Sequence, residues 1–233
     1  MKKDRPYVIC HMIPSVDGKI VMRDWKLPRA ADADYDTTAA SFKADAWMVG
    51  RISMEPYAGG RRPAGTRAAA AVQKGDFVAP HRARTFAIAL DPEGRLVFGS
   101  GDIDGEHVIA VVTGMAPKSH LAYLRSKGVS YIIGGPKKIN LPLVLRKLRR
   151  LFGVKKLLLE GGGTTNGGML EAGLIDELSI LVTPVADGRV GVQTTFDAGR
   201  SKASVTGLRL LSHRTRPFGL VWLRYKVLRK TGR

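Results

Sequence analysis

The sequence predicts an α/β fold on a mixed, mainly parallel sheet, and two observations lead there. Short apolar runs at Tyr7–Met12, Ala46–Val49, Thr85–Leu90, Val108–Val112, Val129–Ile133 and Lys156–Leu159 alternate with helical patterns at about Ala33–Lys43, Ser119–Lys127, Leu141–Phe152 and Asn166–Ala172. Strands separated by helices return in the same direction, which gives parallel pairing. The last three runs, Glu177–Val182, Ser204–Leu211 and Leu220–Leu228, follow one another without a helix and are expected to pair antiparallel at one edge. No change of composition marks a boundary, so residues 1–233 are expected to form a single domain. The least regular stretch, Gly59–Pro80, reads either as a functional loop or as a short alanine-rich helix.

At 44 % hydrophobic and 25 % charged residues the chain carries enough apolar material to order itself. A single cysteine, Cys10, excludes a disulfide scaffold, and five scattered histidines leave no zinc pattern, so no metal is expected. No stretch reaches the roughly 20 apolar residues that cross a bilayer. The expectation is a cytoplasmic protein with no membrane partner. The net charge of +18 favours an anionic ligand.

The strongest motif runs from Lys156 to Leu170, where an apolar strand meets Glu160-Gly161-Gly162-Gly163-Thr164-Thr165-Asn166-Gly167-Gly168 and a helical pattern resumes. Glycines let backbone amides approach an anion, and a following helix amino end adds partial positive charge, an arrangement that holds phosphates. Thr164, Thr165 and Asn166 are placed to cap the helix or to donate to phosphate oxygens. The alternative is a tight capped turn with no ligand. The spacing is neither a Rossmann fingerprint nor a P-loop. Glu160, at the carboxyl end of its strand, suits a ligand contact or a structural ion pair.

Three further segments begin where a strand ends. Ser15-Val16-Asp17-Gly18 contains a strong turn dipeptide and two side chains able to meet a ligand. Gly50-Arg51-Ile52-Ser53 offers close backbone approach, a guanidinium fork and a hydroxyl, and reads as a helix start. Asp91-Pro92-Glu93-Gly94 is ordinary turn chemistry. In a parallel sheet such segments collect on one rim. His11 and His107, on strand patterns, read as core or edge residues rather than catalytic ones. The basic helix Leu141–Phe152 has one apolar stripe with Arg146, Lys147, Arg149 and Arg150 opposite, the pattern of a surface helix more than of a nucleic-acid reader.

In this order the segments resemble the reductase domain of the riboflavin-biosynthesis deaminase–reductase family. The resemblance rests on Arg5-Pro6-Tyr7-Val8, Ser15 to Ile20, Val49-Gly50-Arg51, Leu90-Asp91-Pro92, and above all Leu157 to Asn166 continuing through Leu170 to Leu178. It implies a stand-alone, three-layer fold like that of dihydrofolate reductase and an NADPH-dependent reductase. The implied cofactor contacts are Gly50, Arg51, Ser53, Asp91, Gly161, Gly162, Gly163, Thr164, Thr165 and Asn166. The implied substrate contacts are Ser15, Asp17 and Glu160, and no residue is singled out as the catalytic acid. The implied substrate is a ribosylaminopyrimidine 5′-phosphate, reduced at ribose C1′, with a homodimer expected. The chain departs from the family after Gly50, where Met54-Glu55-Pro56-Tyr57 replaces an Asp-Asp-Pro stretch. It also carries no His-x-Glu with Pro-Cys-x-x-Cys pattern of a deaminase. The same fold and cofactor acting on a dihydropteridine or another small carbonyl or imine is the alternative, followed by a nucleic-acid-binding protein.

Overall fold

The computed structural model describes residues 4–60, 75–197 and 205–228. In chain order the elements are β1 (Tyr7–Met12), α1 (Arg29–Ala40), β2 (Ala46–Gly50), α2 (Arg51–Ala58), β3 (Phe86–Leu90), β4 (Asp102–Ile103), β5 (Glu106–Val112), α3 (Lys118–Ser126), β6 (Ser130–Ile133), α4 (Leu141–Phe152), β7 (Lys156–Leu159), α5 (Gly163–Glu171), β8 (Glu177–Val182), β9 (Leu208–Thr215) and β10 (Val221–Val227). They divide into two compact units, Met1–Pro6 with Asp45–Lys155, and Tyr7–Ala44 with Lys156–Arg233.

In the unit containing 45–155, β2, β3, β5 and β6 run parallel, with Ala46 opposite Phe86, Phe86 opposite His107 and Ile109 opposite Ser130. The short β4 pairs antiparallel with β5. Val49, Ala89, Val108, Ala110 and Tyr131 of the strands pack with Met54 of α2 and Leu124 of α3 in one apolar core. Helix α4 occupies the residues its pattern predicts. The Asn140 side chain accepts a hydrogen bond from the Leu143 amide at 3.0 Å, and Gly153 ends the helix at φ +70°. Its Val144, Leu145 and Leu148 are buried. Opposite them, Lys147 is engaged by the Asp76 carboxylate at 2.8 Å and the Ile133 carbonyl at 2.9 Å. That leaves the cationic side of α4 partly committed to the fold itself.

In the other unit, β7, β1 and β8 are parallel, with Cys10 opposite Leu159 and Ile9 opposite Glu177. β10 pairs antiparallel with β8, and β9 antiparallel with β10, as the absence of an intervening helix requires. Arg216 on the turn between β9 and β10 pairs with the buried Asp34 of α1. Ser179 of β8 binds both Trp222 Nε1 and His11 Nδ1 at 2.8 Å, so three elements share one buried hydroxyl.

Some boundaries differ from the sequence reading. The strand expected at Ser204–Leu211 runs instead from Leu208 to Thr215. Its register is set by pairing with β10 and by the turn that the Arg216 amide closes on the Leu220 carbonyl at 2.8 Å, not by its apolar content. Helix α5 starts three residues before Asn166, at Gly163. Helix α1 starts at Arg29 and ends at Ala40, earlier than Ala33–Lys43. Within Gly59–Pro80, residues 61–74 lie outside the described residues.

Candidate active site

Strand β7 delivers Glu160 to its carboxyl end, and Gly161, Gly162 and α5 follow at once. Gly161 adopts φ +108°, a conformation that favours glycine, and the Gly161–Gly162 peptide is cis. Gly163 has no room for a side chain: a Cβ there would stand 2.3 Å from the Thr194 carbonyl oxygen and 2.4 Å from an Asp197 carboxylate oxygen. The backbone is thus packed closely on one side. On the other, Gly162, Thr164 and Thr165 retain solvent access. The first amides of an α-helix have no partner inside it. Among the described residues no acceptor outside α5 meets the amides of Gly163, Thr164 or Thr165. Asp197 is spent on the Thr194 hydroxyl at 2.7 Å rather than on those amides. This is an open helix amino end whose partial positive charge suits an anion. Asn166 is not part of its surface. It is fully buried, its amide nitrogen donating to the Thr195 carbonyl at 3.0 Å.

A polar segment, Gln193–Asp197, braces the cradle. The Asp197 amide donates to the Gly163 carbonyl at 3.0 Å, and the Thr195 amide to the Gly18 carbonyl at 3.0 Å. It therefore links the start of α5 to the loop after β1. In that loop the buried Ser15 hydroxyl donates to Asp17 Oδ1 at 2.7 Å and accepts from the Lys19 amide at 2.9 Å. Asp17 takes two more bonds, from the amides of Asp187 and Gly188, both at 2.9 Å. These donors, Asp187 first, then Ser15 and Gly188, hold its carboxyl down at about 2. Asp187 in turn binds Trp25 Nε1 at 2.7 Å and Arg189, whose guanidinium also reaches Asp24 at 2.7 Å. Arg189 keeps the Asp187 carboxyl well below the usual carboxylate range. Ser15 and Asp17 thus fix the loop that borders the strand end.

Glu160 is half-buried where β7 ends. Its charge faces Cys10 and the hydroxyl of Tyr35, which hydrogen-bonds it. Burial pushes the Cys10 thiol up, out of any nucleophilic range. His11 sits beneath, fully buried, with Nδ1 on Ser179 and Nε2 3.2 Å from the Thr38 hydroxyl, and burial lowers it to about 4. It is a satisfied core histidine.

In the unit containing 45–155, the carboxyl ends of β2 and β3 carry the other expected residues. Gly50 leads directly into α2, Arg51 forms an i, i+4 ion pair with Glu55, and Ser53 lies one turn into the helix. Asp91 is fully buried. Its Oδ2 accepts from the Leu96 amide at 2.8 Å and closes the turn, while Oδ1 is buried with no hydrogen-bond partner among the described residues. His81 and Arg82, basic residues ahead of β3, lie on the opposite rim, where His107, Lys127 and Gly128 also line an open cleft of about 560 Å³. The His107 ring stacks on His81 at 4.3 Å and is held by Ser130 at 2.7 Å, a packing role like that of His11.

Sequence reasoning missed Tyr35, Asp187, Thr194, Thr195 and Asp197. Their partners lie on other elements, and only the Asp187-Gly188 turn dipeptide leaves a local trace. Among the described residues, no three or more His, Cys, Asp or Glu gather as a metal site would need, and no helix is long and apolar enough to cross a membrane.

Parallel strands followed by antiparallel ones, with a glycine cradle and a carboxylate at the strand ends, define an α/β oxidoreductase with a dihydrofolate-reductase-like fold. The profile of the RibD C-terminal domain matches residues 6–222, and the chain belongs to that family. The 2,5-diamino-6-ribosylamino-4(3H)-pyrimidinone 5′-phosphate reductase of Methanothermobacter thermautotrophicus is 29 % identical over 216 residues, covering 92 % of this chain and 94 % of that protein. In structure, a pyrimidine reductase-like protein from Corynebacterium diphtheriae superposes with a TM-score of 0.71 at 22 % identity, over 97 % of this chain and 93 % of that one. The Saccharomyces cerevisiae riboflavin biosynthesis reductase gives 0.64 at 15 % identity, over 98 % and 92 %. At these identities the structural likeness establishes the fold.

Proposed function

We propose that residues 1–233 work as one NADPH-dependent reductase that carries hydride to ribose C1′ of a ribosylaminopyrimidine 5′-phosphate, leaving a ribityl group. The observation that carries this reading is the open amino end of α5, two glycines beyond Glu160, where the amides of Gly163, Thr164 and Thr165 meet no acceptor outside α5 among the described residues. The activity named for the Methanothermobacter thermautotrophicus relative supports the substrate class.

When bound, the coenzyme supplies the hydride; the chain supplies position and electrostatics. Gly162, Gly163, Thr164 and Thr165 hold the diphosphate, while Gly161 and Asn166 shape the turn that presents them. Gly50, Arg51, Ser53 and Asp91 are assigned to the coenzyme as well. Glu160 meets polar groups of the substrate, and Ser15 and Asp17 hold the bordering loop in place. Fixing donor and acceptor in a near-attack geometry supplies much of the rate. A water-soluble phosphate ester and a soluble dinucleotide fit a cytoplasmic enzyme.

A homodimer is part of the same reading. Among the described residues strand β9 pairs only with β10, and Leu208, Leu210 and Leu211 are between 41 % and 49 % exposed. A bare apolar edge of this kind is normally covered. Light scattering on the purified protein reads the mass directly.

The test is turnover. With a ribosylaminopyrimidine 5′-phosphate, nicotinamide absorbance is expected to fall in step with substrate, faster with NADPH than with NADH. Absence of oxidation with either coenzyme contradicts the assignment.

A further inference from the structure

The open cleft of about 560 Å³ lies at the amino ends of β3 and β5, between residues 80–83, the turn at 101–105 and residues 127–128. Strand β3 is five residues long, so about 16 Å of strand separates the cleft from Asp91 at the other rim. One buried hydroxyl fixes the walls. Ser130, at the start of β6, accepts from the Ala79 amide at 2.9 Å and meets His107 Nε2 at 2.7 Å. With the Ala79 proton on its oxygen, the hydroxyl gives its own proton to the imidazole, and His107 is neutral. Burial, with the charge of His81 second, lowers His107 to about 4. Two walls also meet backbone to backbone: a Cβ on Gly101 would stand 2.1 Å from the Gly128 carbonyl oxygen. His107 in turn seats His81. The rings stack at 4.3 Å and 13°, and Phe86 meets His81 edge-on at 5.4 Å. A carbonyl only accepts, so His81 Nδ1, 3.2 Å from the Ala83 carbonyl, carries the ring proton.

This fixed frame presents donors. Arg82 and Lys127 have no carboxylate partner among the described residues, whereas Arg189, Arg216 and Arg224 each have one. The amides of His81, Arg82 and Ala83 meet no acceptor among the described residues. Asp102 is the one carboxylate of the lining, and its Oδ1 accepts from the Gly105 amide at 3.0 Å. We propose that this cleft is a second binding site, for a phosphate monoester of sugar or nucleoside size. Arg82, Lys127 and the amides of residues 81–83 take the phosphate oxygens, the Arg82 fork meeting two of them at once. The cleft is far larger than a phosphate ion, and the remaining volume holds the organic part. Binding here needs neither coenzyme nor hydride transfer.

Ribose 5-phosphate is the probe, added to the intact protein at pH 7 while NMR follows the ring C–H resonances of the five histidines. The His81 signal is identified by its loss in His81→Gln. The expected result is a saturable shift of the His81 signal. Ribose is expected to leave it in place, and sulfate at matched ionic strength to bind about tenfold more weakly or worse, having no organic part to bury. The double variant Arg82→Gln/Lys127→Gln is expected to weaken the probe about tenfold or more, and Arg82→Gln alone about threefold or more, with NADPH affinity unchanged. A His81 signal that does not move overturns the site, as does one that moves equally in the double variant or equally with sulfate. Loss of NADPH affinity in the double variant overturns its separateness from the coenzyme.

Discussion

The carboxylate of Asp17 lies 2.9 Å from the amide of Gly188, across 171 positions of sequence. With the Asp187 amide and the Ser15 hydroxyl, that contact ties the loop after β1 to the loop after β8. The loop bordering the proposed substrate position is therefore set by a charge-assisted clamp as well as by the bonds of its own turn.

Asp17→Asn removes the charge from the clamp. The group's pKa is about 2 in the folded protein against an ordinary 3.8, so its contribution is complete above about pH 4 and is lost as pH falls through 2. The variant is expected to melt lower than wild type at pH 7, with the gap narrowing below pH 4. Thermal melts across that range check it, and a gap independent of pH contradicts the clamp's charge.

His11 makes the fold acid-sensitive at higher pH. Burial lowers it from 6.5 to about 4, so between those values the unfolded chain takes up a proton that the folded one refuses. Stability therefore falls as pH drops from 6.5, by about 2 kcal/mol at pH 5 from this residue. His11→Gln is expected to show a smaller loss of melting temperature between pH 7 and 5. His107, also lowered to about 4 and first by burial, retains its own share in that variant.

Gly163→Ala tests the packed side of the cradle. The added methyl meets the backbone oxygen of Thr194 at 2.3 Å, and backbone cannot swing away. A loss of about 1–3 kcal/mol in denaturant unfolding is expected, even though alanine is the better helix former. Weaker coenzyme binding should accompany it.

What the sequence made legible follows its local signals. Asn140, Pro142 and Gly153 bracket α4, and the element occupies Leu141–Phe152 as expected. The carboxylate and glycine run from Glu160 to Gly163 also stands where the strand-to-turn reading puts it. The start of α5 was hidden because glycine and threonine are weak helix formers; tertiary bonds from Thr194 to Asp197 brace that turn instead. Asp17, Tyr35 and Asn166 show the wider limit. Their residue types were visible, but their roles depend on partners 29 to 171 positions away, or on strand register, and no local pattern encodes those.

The central claim is that the amides from Gly162 to Thr165 receive the coenzyme diphosphate. Amide hydrogen exchange on the intact protein, with and without saturating NADPH, reads it without any substitution. Slower exchange in a peptide spanning Leu159–Leu170 is the expected result. Saturable binding that slows exchange elsewhere and leaves those amides unchanged would contradict it.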